Sequence, residues 1–221
     1  STTNTSQSPI VGIQYAARGR VITVMGIGDS ITEGRGTYKG EGFGMPACAA
    51  ISDTNGVAVE WSNCGWSGAD PSQIMAFGID TLQYFSPDIL VLPNGSPNVS
   101  AAPITASGIT SSRQMLYRLL AECQIKGVRP LIWTWLPTND TTKAWNSSDS
   151  LRRAWNDDTR RLATQRGLLV LDADAVLAGV DNGSGQIQML AGSSSDGIHT
   201  NDTGNALLAA EFKKAFAILS Q

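Results

Sequence analysis

Three separated segments of this 221-residue chain hold residue types that could do covalent chemistry together. Gly28-Asp29-Ser30-Ile31-Thr32-Glu33-Gly34 follows an apolar run and places a hydroxyl where a strand gives way to a turn. Asn63-Cys64-Gly65-Trp66-Ser67-Gly68-Ala69-Asp70 follows a second such run. Asp196-Gly197-Ile198-His199 lies near the C-terminus and contains the sole histidine. A serine hydroxyl is a weak nucleophile near neutral pH and needs a base beside it. His199 is the one imidazole on offer, and an aspartate three residues earlier on a short turn can fold back to hold its second nitrogen. A tetrahedral intermediate would then need N–H donors aimed at its oxyanion, each worth roughly 10²–10³ in rate.

Other chemistries fit these residues less well. A dinucleotide fingerprint begins at Gly26 and Gly28 but meets Ile31 where its third glycine belongs, and Gly34–Lys39 lacks the ending of a phosphate-binding P-loop. A Ser/Thr-rich loop after the first strand could instead cradle the phosphate of a flavin mononucleotide, and an isolated Ser30 would read as a helix cap. Cys64 as nucleophile would have to compete with Ser30 for the same histidine. One histidine and three cysteines (Cys48, Cys64, Cys123) without a CxxC pair provide no recognisable metal site, so no metal or other cofactor is expected. Buried free thiols are the favoured state, although one pair could bridge. Asp29 reads first as an acceptor for loop amides; Asp29 and Trp66 are also candidates for substrate contact. Asp202 reads as a helix cap, and Glu33, Arg35, Tyr38 and Lys39 cannot be ranked.

These residues need a scaffold, and the apolar pattern supplies one. Strand-sized runs at Arg20–Ile27, Val57–Ser62, Asp88–Leu92, Arg129–Leu136 and Leu168–Leu171 alternate with helical segments at Phe43–Ile51, Ser72–Phe85, Ser111–Lys126, Ser150–Arg166 and Thr203–Leu219. Near-continuous apolar strands separated by helices predict a parallel sheet covered on both faces, an α/β fold of three α/β/α layers and flavodoxin-like winding. Ligands in such sheets sit beyond the carboxyl ends of the strands, here the loops Gly28–Tyr38, Asn63–Pro71 and Pro93–Thr110. One domain over 17–221 is expected, after a Ser/Thr/Asn-rich tail or linker at 1–16 left from a larger polypeptide. Trp133 and Trp135 read as core, and Arg152, Arg153, Arg160 and Arg161 as a solvated helix face.

Composition narrows the partners. With 42% hydrophobic residues the chain can build a large core, and a net charge of −3 argues against binding nucleic acid. No apolar run approaches the ~18 residues of a membrane span.

Taken together, the three segments resemble the blocks of the SGNH (GDSL) hydrolase family, from about Arg20 to Leu219. GDSITEG at 28–34 is similar to its nucleophile block, N-x-G-x-x-G at 63–68 to its second and D-x-x-H at 196–199 to its last. The resemblance implies Ser30 as nucleophile, His199 as base and later acid, and Asp196 as the residue orienting it. It also implies an oxyanion hole formed by the N–H groups of Ser30 and Gly68. The family's third block, G-x-N-D, supplies a third donor from asparagine. Here the same place reads Gly95-Ser96-Pro97-Asn98, so Pro97 falls on the asparagine position. Asn98, one residue late, is the expected donor, with Asn94 second. The sequons at Asn94 and Asn98 overlap this site and read as by-products of composition.

What the resemblance implies is a serine esterase. Sparse charge, a Ser/Thr/Asn-rich surface, Trp66 near the site and the lack of an apolar lid favour O-acetyl groups on a carbohydrate or polysaccharide, in an extracellular or phage-tail setting. The alternatives are a lipase or arylesterase of the same family, or a glycan-binding module that lost catalysis when its third block drifted.

Overall fold

Side chains alternate between the two faces of a β-strand, and the three central strands use both faces for core. The computed structural model describes residues 20–38, 40–96, 98, 106–139 and 149–217; the expected N-terminal tail lies outside them. Strands β1 (Val21–Gly28), β2 (Ala58–Gly65), β3 (Ile89–Pro93), β4 (Arg129–Trp133) and β5 (Leu169–Leu171) form a parallel sheet in the order β2-β1-β3-β4-β5. Val24, Ile89, Val91, Leu131 and Trp133 enter one core, while Met25, Ile27, Leu90, Leu92 and Ile132 enter the other. Leu90 and Leu92 are fully buried, each contributing about 2 kcal/mol from apolar area removed from water.

The first core is closed by α2 (Gly44–Asn55), α6 (Ala173–Leu177) and α7 (Asp202–Ala217), and is dominated by aromatics. The Phe43 ring lies 5.5 Å from Trp133, 6.0 Å from Trp61 and 6.4 Å from Phe212. The second core is closed by α3 (Pro71–Tyr84) and α4 (Ala106–Lys126), with Leu162 of α5 (Asp149–Arg166) against it. No helix among the described residues is long and apolar enough to cross a membrane. A short antiparallel pair, β6 (Ala178–Asp181) and β7 (Ile187–Met189), precedes the Asp196–His199 turn.

The sheet order places the site. The chain runs from β1 outward to β2 through α2, then returns past β1 to β3 and continues to β5 through helices on the other face. The loops leaving β1 and β3 therefore diverge, opening a crevice at the carboxyl ends of these two strands. Asp29 and Ser30 leave β1 at that point, and Asn94, Gly95 and Ser96 leave β3.

Two expectations need correction. β4 stops at Trp133, although the apolar run continues to Leu136. The Thr134 N–H still donates to the Leu171 carbonyl of β5, but the Trp135 backbone pairs with the Asn156 and Arg152 side chains of α5 instead of a strand, and Leu136 enters the first core. Arg152 is also not part of a solvated face: it is completely buried, bonded to Asp149, Asp174 and the Trp135 carbonyl. Arg160 reaches Asp172 and Asp174 from its edge, while the Arg153 and Arg161 side chains remain about half or more exposed. Trp133 and Trp135 are both buried, and all three cysteines are free thiols.

Candidate active site

Ser30 opens a one-turn helix, α1 (Ser30–Glu33), whose cap is Asp29 rather than Ser30 itself. Asp29 Oδ1 accepts the Ile31 N–H at 2.9 Å, and Gly34 ends the turn in a left-handed conformation. Asp29 Oδ2 accepts the Ser96 hydroxyl at 2.5 Å, tying the β1 loop to the β3 loop across the crevice. With both oxygens engaged and 1% exposure, Asp29 cannot be a substrate contact and serves the loop. Burial pushes its carboxyl above the ordinary value, against the pull of Ser96, Ile31 and the charge of His199.

The second segment holds α1 in place. Asn63 Oδ1 accepts the Gly65 N–H at 3.0 Å, its amide donates to the Glu33 carbonyl at 3.2 Å, and the Trp66 N–H donates to the Gly28 carbonyl at 2.8 Å. Gly65 lies so close to α1 that a Cβ would sit 2.3 Å from the Glu33 nitrogen. Gly68 turns with φ +86°, open to glycine at no steric cost. The N–H groups of Ser30 and Gly68 have no acceptor among the described residues. Asp70 then caps α3 in a reciprocal box with Gln73, ahead of Pro71.

The last segment completes the constellation. Ser30 Oγ lies 2.9 Å from His199 Nε2, and His199 Nδ1 lies 2.5 Å from Asp196 Oδ2. Residues 169 apart in sequence are thus in proton-sharing contact, with Ser30 and His199 both buried. Asp196 Oδ1 accepts the Ile198 and His199 N–H groups at 2.9 and 2.8 Å, which folds the turn around the carboxylate. Burial pushes the Asp196 carboxyl up, but the His199 ring and these two amides outweigh it and hold the group at about 2. It is therefore ionised at neutral pH, as partner to an imidazole N–H. A clamp from the β4–α5 loop secures the same turn: the Gly197 carbonyl accepts the Thr138 hydroxyl at 2.6 Å and the Asn139 N–H at 2.8 Å.

The third segment differs from expectation in part. Asn94 is buried, and its amide donates to Thr159 of α5 at 2.5 Å, so it is neither an oxyanion donor nor open to glycosylation. Asn98 lies beside the second segment, its amide donating to the Ala69 carbonyl at 3.1 Å, one peptide from Gly68, and to Ser96 Oγ at 3.3 Å. Pro97 and Lys39 lie outside the described residues. Ser96, completely buried, is the hub that joins Asp29, Ala69 and Asn98, a role no motif announced. Asp202 is not the cap of α7: Asn201 Oδ1 takes the Gly204 N–H, while Asp202 takes the N–H of Tyr38. Trp66 is half exposed beside the site.

A serine, an imidazole and a carboxylate in series at the switch point can transfer acyl groups, and comparison with known proteins agrees. The sequence matches the GDSL-like lipase/acylhydrolase family over residues 27–207. The chain belongs to this family. Among curated proteins, none matches the sequence. Solved structures share the fold at low identity. A GDSL-like lipase of Bacteroides thetaiotaomicron has 16% identity and a TM-score of 0.67, covering 89% of this chain and 88% of that one. A family 3 carbohydrate esterase of Clostridium thermocellum has 17% identity and a TM-score of 0.64, covering 91% and 98%. A lipase from a goat rumen metagenome has 17% identity and a TM-score of 0.62, covering 88% and 97%.

Proposed function

We propose that this GDSL-family chain is a serine esterase that releases O-acetyl groups from a carbohydrate. The contact series Ser30 Oγ, His199 Nε2, His199 Nδ1 and Asp196 Oδ2 carries the reading. Ser30 Oγ attacks the ester carbonyl carbon as its proton passes to Nε2, and Asp196 stabilises the imidazolium that results. The oxyanion is received by the Ser30 and Gly68 N–H groups; both N–H bonds of the Asn98 amide go to Ala69 and Ser96, so Asn98 would act as third donor only on releasing one of them. The carbon–oxygen bond to the alcohol breaks, Nε2 returns the proton to the leaving oxygen, and an acetyl-Ser30 ester remains. Water then gives a proton to Nε2, attacks the acetyl carbon, and acetate departs as Ser30 recovers its proton.

A carbohydrate substrate is supported by the half-exposed Trp66 at the crevice and by the solved structure of a carbohydrate esterase among those sharing the fold. A non-catalytic glycan-binding module would have no use for a buried serine held on an imidazole. The test compares acetate release from O-acetylated oligosaccharides with hydrolysis of p-nitrophenyl esters of rising chain length. Preference for acetyl esters on sugars is expected; higher kcat/KM on long acyl chains would replace this reading with a lipase.

A further inference from the structure

We propose that Thr138 is a positioning residue of the catalytic series, acting on Asp196, and through it on His199, by way of the Gly197–Ile198 peptide; this deepens the serine esterase reading and rests on it, whatever alcohol is released. The peptide is gripped on both sides. Its carbonyl accepts the Thr138 hydroxyl at 2.6 Å and the Asn139 N–H at 2.8 Å. Its N–H, that of Ile198, donates to Asp196 Oδ1 at 2.9 Å. The other oxygen of that carboxylate lies 2.5 Å from His199 Nδ1, and Nε2 lies 2.9 Å from Ser30 Oγ. One chain of hydrogen bonds therefore runs from the β4–α5 loop to the nucleophile.

The turn needs an outside hold because its own residues confer little rigidity. Gly197 stands at φ +77°, a region that glycine enters freely, and the Asp196 side chain is half exposed. A peptide group is planar, so its C=O and N–H rotate together. Rotation of the Gly197–Ile198 peptide would draw the Ile198 N–H off Oδ1 and let the carboxylate swing out of line with the imidazole. The two donors on the Gly197 carbonyl oppose that rotation. They also polarise the peptide and strengthen the N–H that Asp196 accepts, by roughly 10–30% per bond.

The anchor is itself fixed. Thr138 is buried, and Asn139 Oδ1 accepts the Met189 N–H of β7 at 2.7 Å. The strand that leads towards the turn and the carbonyl within it are thus tied to the same two residues. What this hold provides is alignment at the moment Ser30 attacks, when Asp196 must face the new imidazolium. A catalytic group misplaced by about 1 Å can cost roughly 10²-fold in rate. Removing the Thr138 hydroxyl leaves the Asn139 N–H in place, so a smaller loss, about tenfold, is expected.

Thr138→Val keeps the side chain's shape and orphans no acceptor, because the Gly197 carbonyl retains Asn139; Thr138→Ala also removes the hydroxyl, and Thr138→Ser restores it. On p-nitrophenyl acetate, kcat should fall about tenfold in the Val and Ala variants with KM unchanged, and recover in Ser. The acid limb of the kcat/KM profile should move about half a pH unit lower in Val and Ala, since a misaligned carboxylate stabilises the imidazolium less. The carboxylates facing His199, Asp196 on its own turn and Asp29 at the end of β1, stay in place in each variant, so the limb reports alignment. In an Asp196→Ala background, with no carboxylate left to position, Thr138→Val should cost less than about twofold more. A kcat within about twofold of the parent in both Val and Ala overturns the assignment. So does an unmoved acid limb, or the full loss recurring on top of Asp196→Ala, either of which leaves Thr138 a role in the fold alone. Parent protein that neither hydrolyses p-nitrophenyl acetate nor takes a fluorophosphonate on Ser30 overturns the esterase reading, and this assignment with it.

Discussion

Replacing Asp196 by asparagine removes a charge while keeping a side chain of the same shape, whose carbonyl can still accept the Ile198 and His199 amides. The loss falls on the imidazolium that forms when Ser30 attacks. A carboxylate and an imidazolium about 4 Å apart attract by roughly 4 kcal/mol at an effective dielectric of 20 and about 1 kcal/mol in bulk water. The Asp196 side chain is half exposed, which places this charge effect at about 2–3 kcal/mol. With the Asn oxygen kept on the Ile198 and His199 amides, its nitrogen also faces Nδ1 and turns the ring to the tautomer that cannot take the Ser30 proton, so kcat should fall by roughly 10⁴-fold in all. Michaelis kinetics on p-nitrophenyl acetate should show that fall with KM nearly unchanged. The same variant carries a stability signature. The parent's Asp196 sits at about 2 against an ordinary 3.8, so in that range the unfolded chain binds more protons and stability declines as pH falls. Asp196→Asn should flatten that part of the urea-midpoint profile between about pH 4 and 2. A kcat within threefold of the parent would refute the role assigned to Asp196, whatever the acid profile shows.

Other consequences follow from packing. Gly65→Ala forces a Cβ against the Glu33 backbone, which has no side chain to swing aside; a melting-temperature drop of at least several degrees is expected, and an unchanged value would contradict the close approach. Arg152→Met removes the buried cation between Asp149 and Asp174, which keep Arg153 and Arg160 at their more exposed side, and should cost about 2–3 kcal/mol in urea unfolding, whereas a loss under about 1 kcal/mol would show that the buried cation is dispensable. Burial pushes the Cys48 and Cys123 thiols up to about 12 and raises Cys64 as well, so Ellman's reagent at pH 8 should titrate the folded protein far more slowly than the denatured one; equal rates would contradict it.

Much of this architecture was readable in the residues because near-continuous apolar runs are a direct consequence of a sheet buried on both faces. All five parallel strands fall within a few residues of their expected positions, as do α2, α3, α5 and α7, and the Ser30, Gly68, Asp196 and His199 segments converge as spacing on such a sheet requires. What escaped notice depends on partners distant in sequence. Arg152 looks like any arginine on a polar helix, and only the fold reveals Asp174 beside it. Thr134–Leu136 reads as strand because apolar residues are buried equally well without a ladder. The short α1, α6 and the β6–β7 pair carry too few residues to show a period. Thr138, Asn139 and Ser96 act through hydrogen bonds to backbone atoms or side chains distant in sequence, which leave no pattern in the sequence.

The account turns on Ser30 as a nucleophile activated by His199, and a fluorophosphonate reports on that pair directly. Intact-protein and peptide mass spectrometry should find one adduct, on the Ser30 peptide, with labelling lost in Ser30→Ala and slowed by orders of magnitude in His199→Ala. Labelling at another residue, or an unaltered rate without the imidazole, would contradict it.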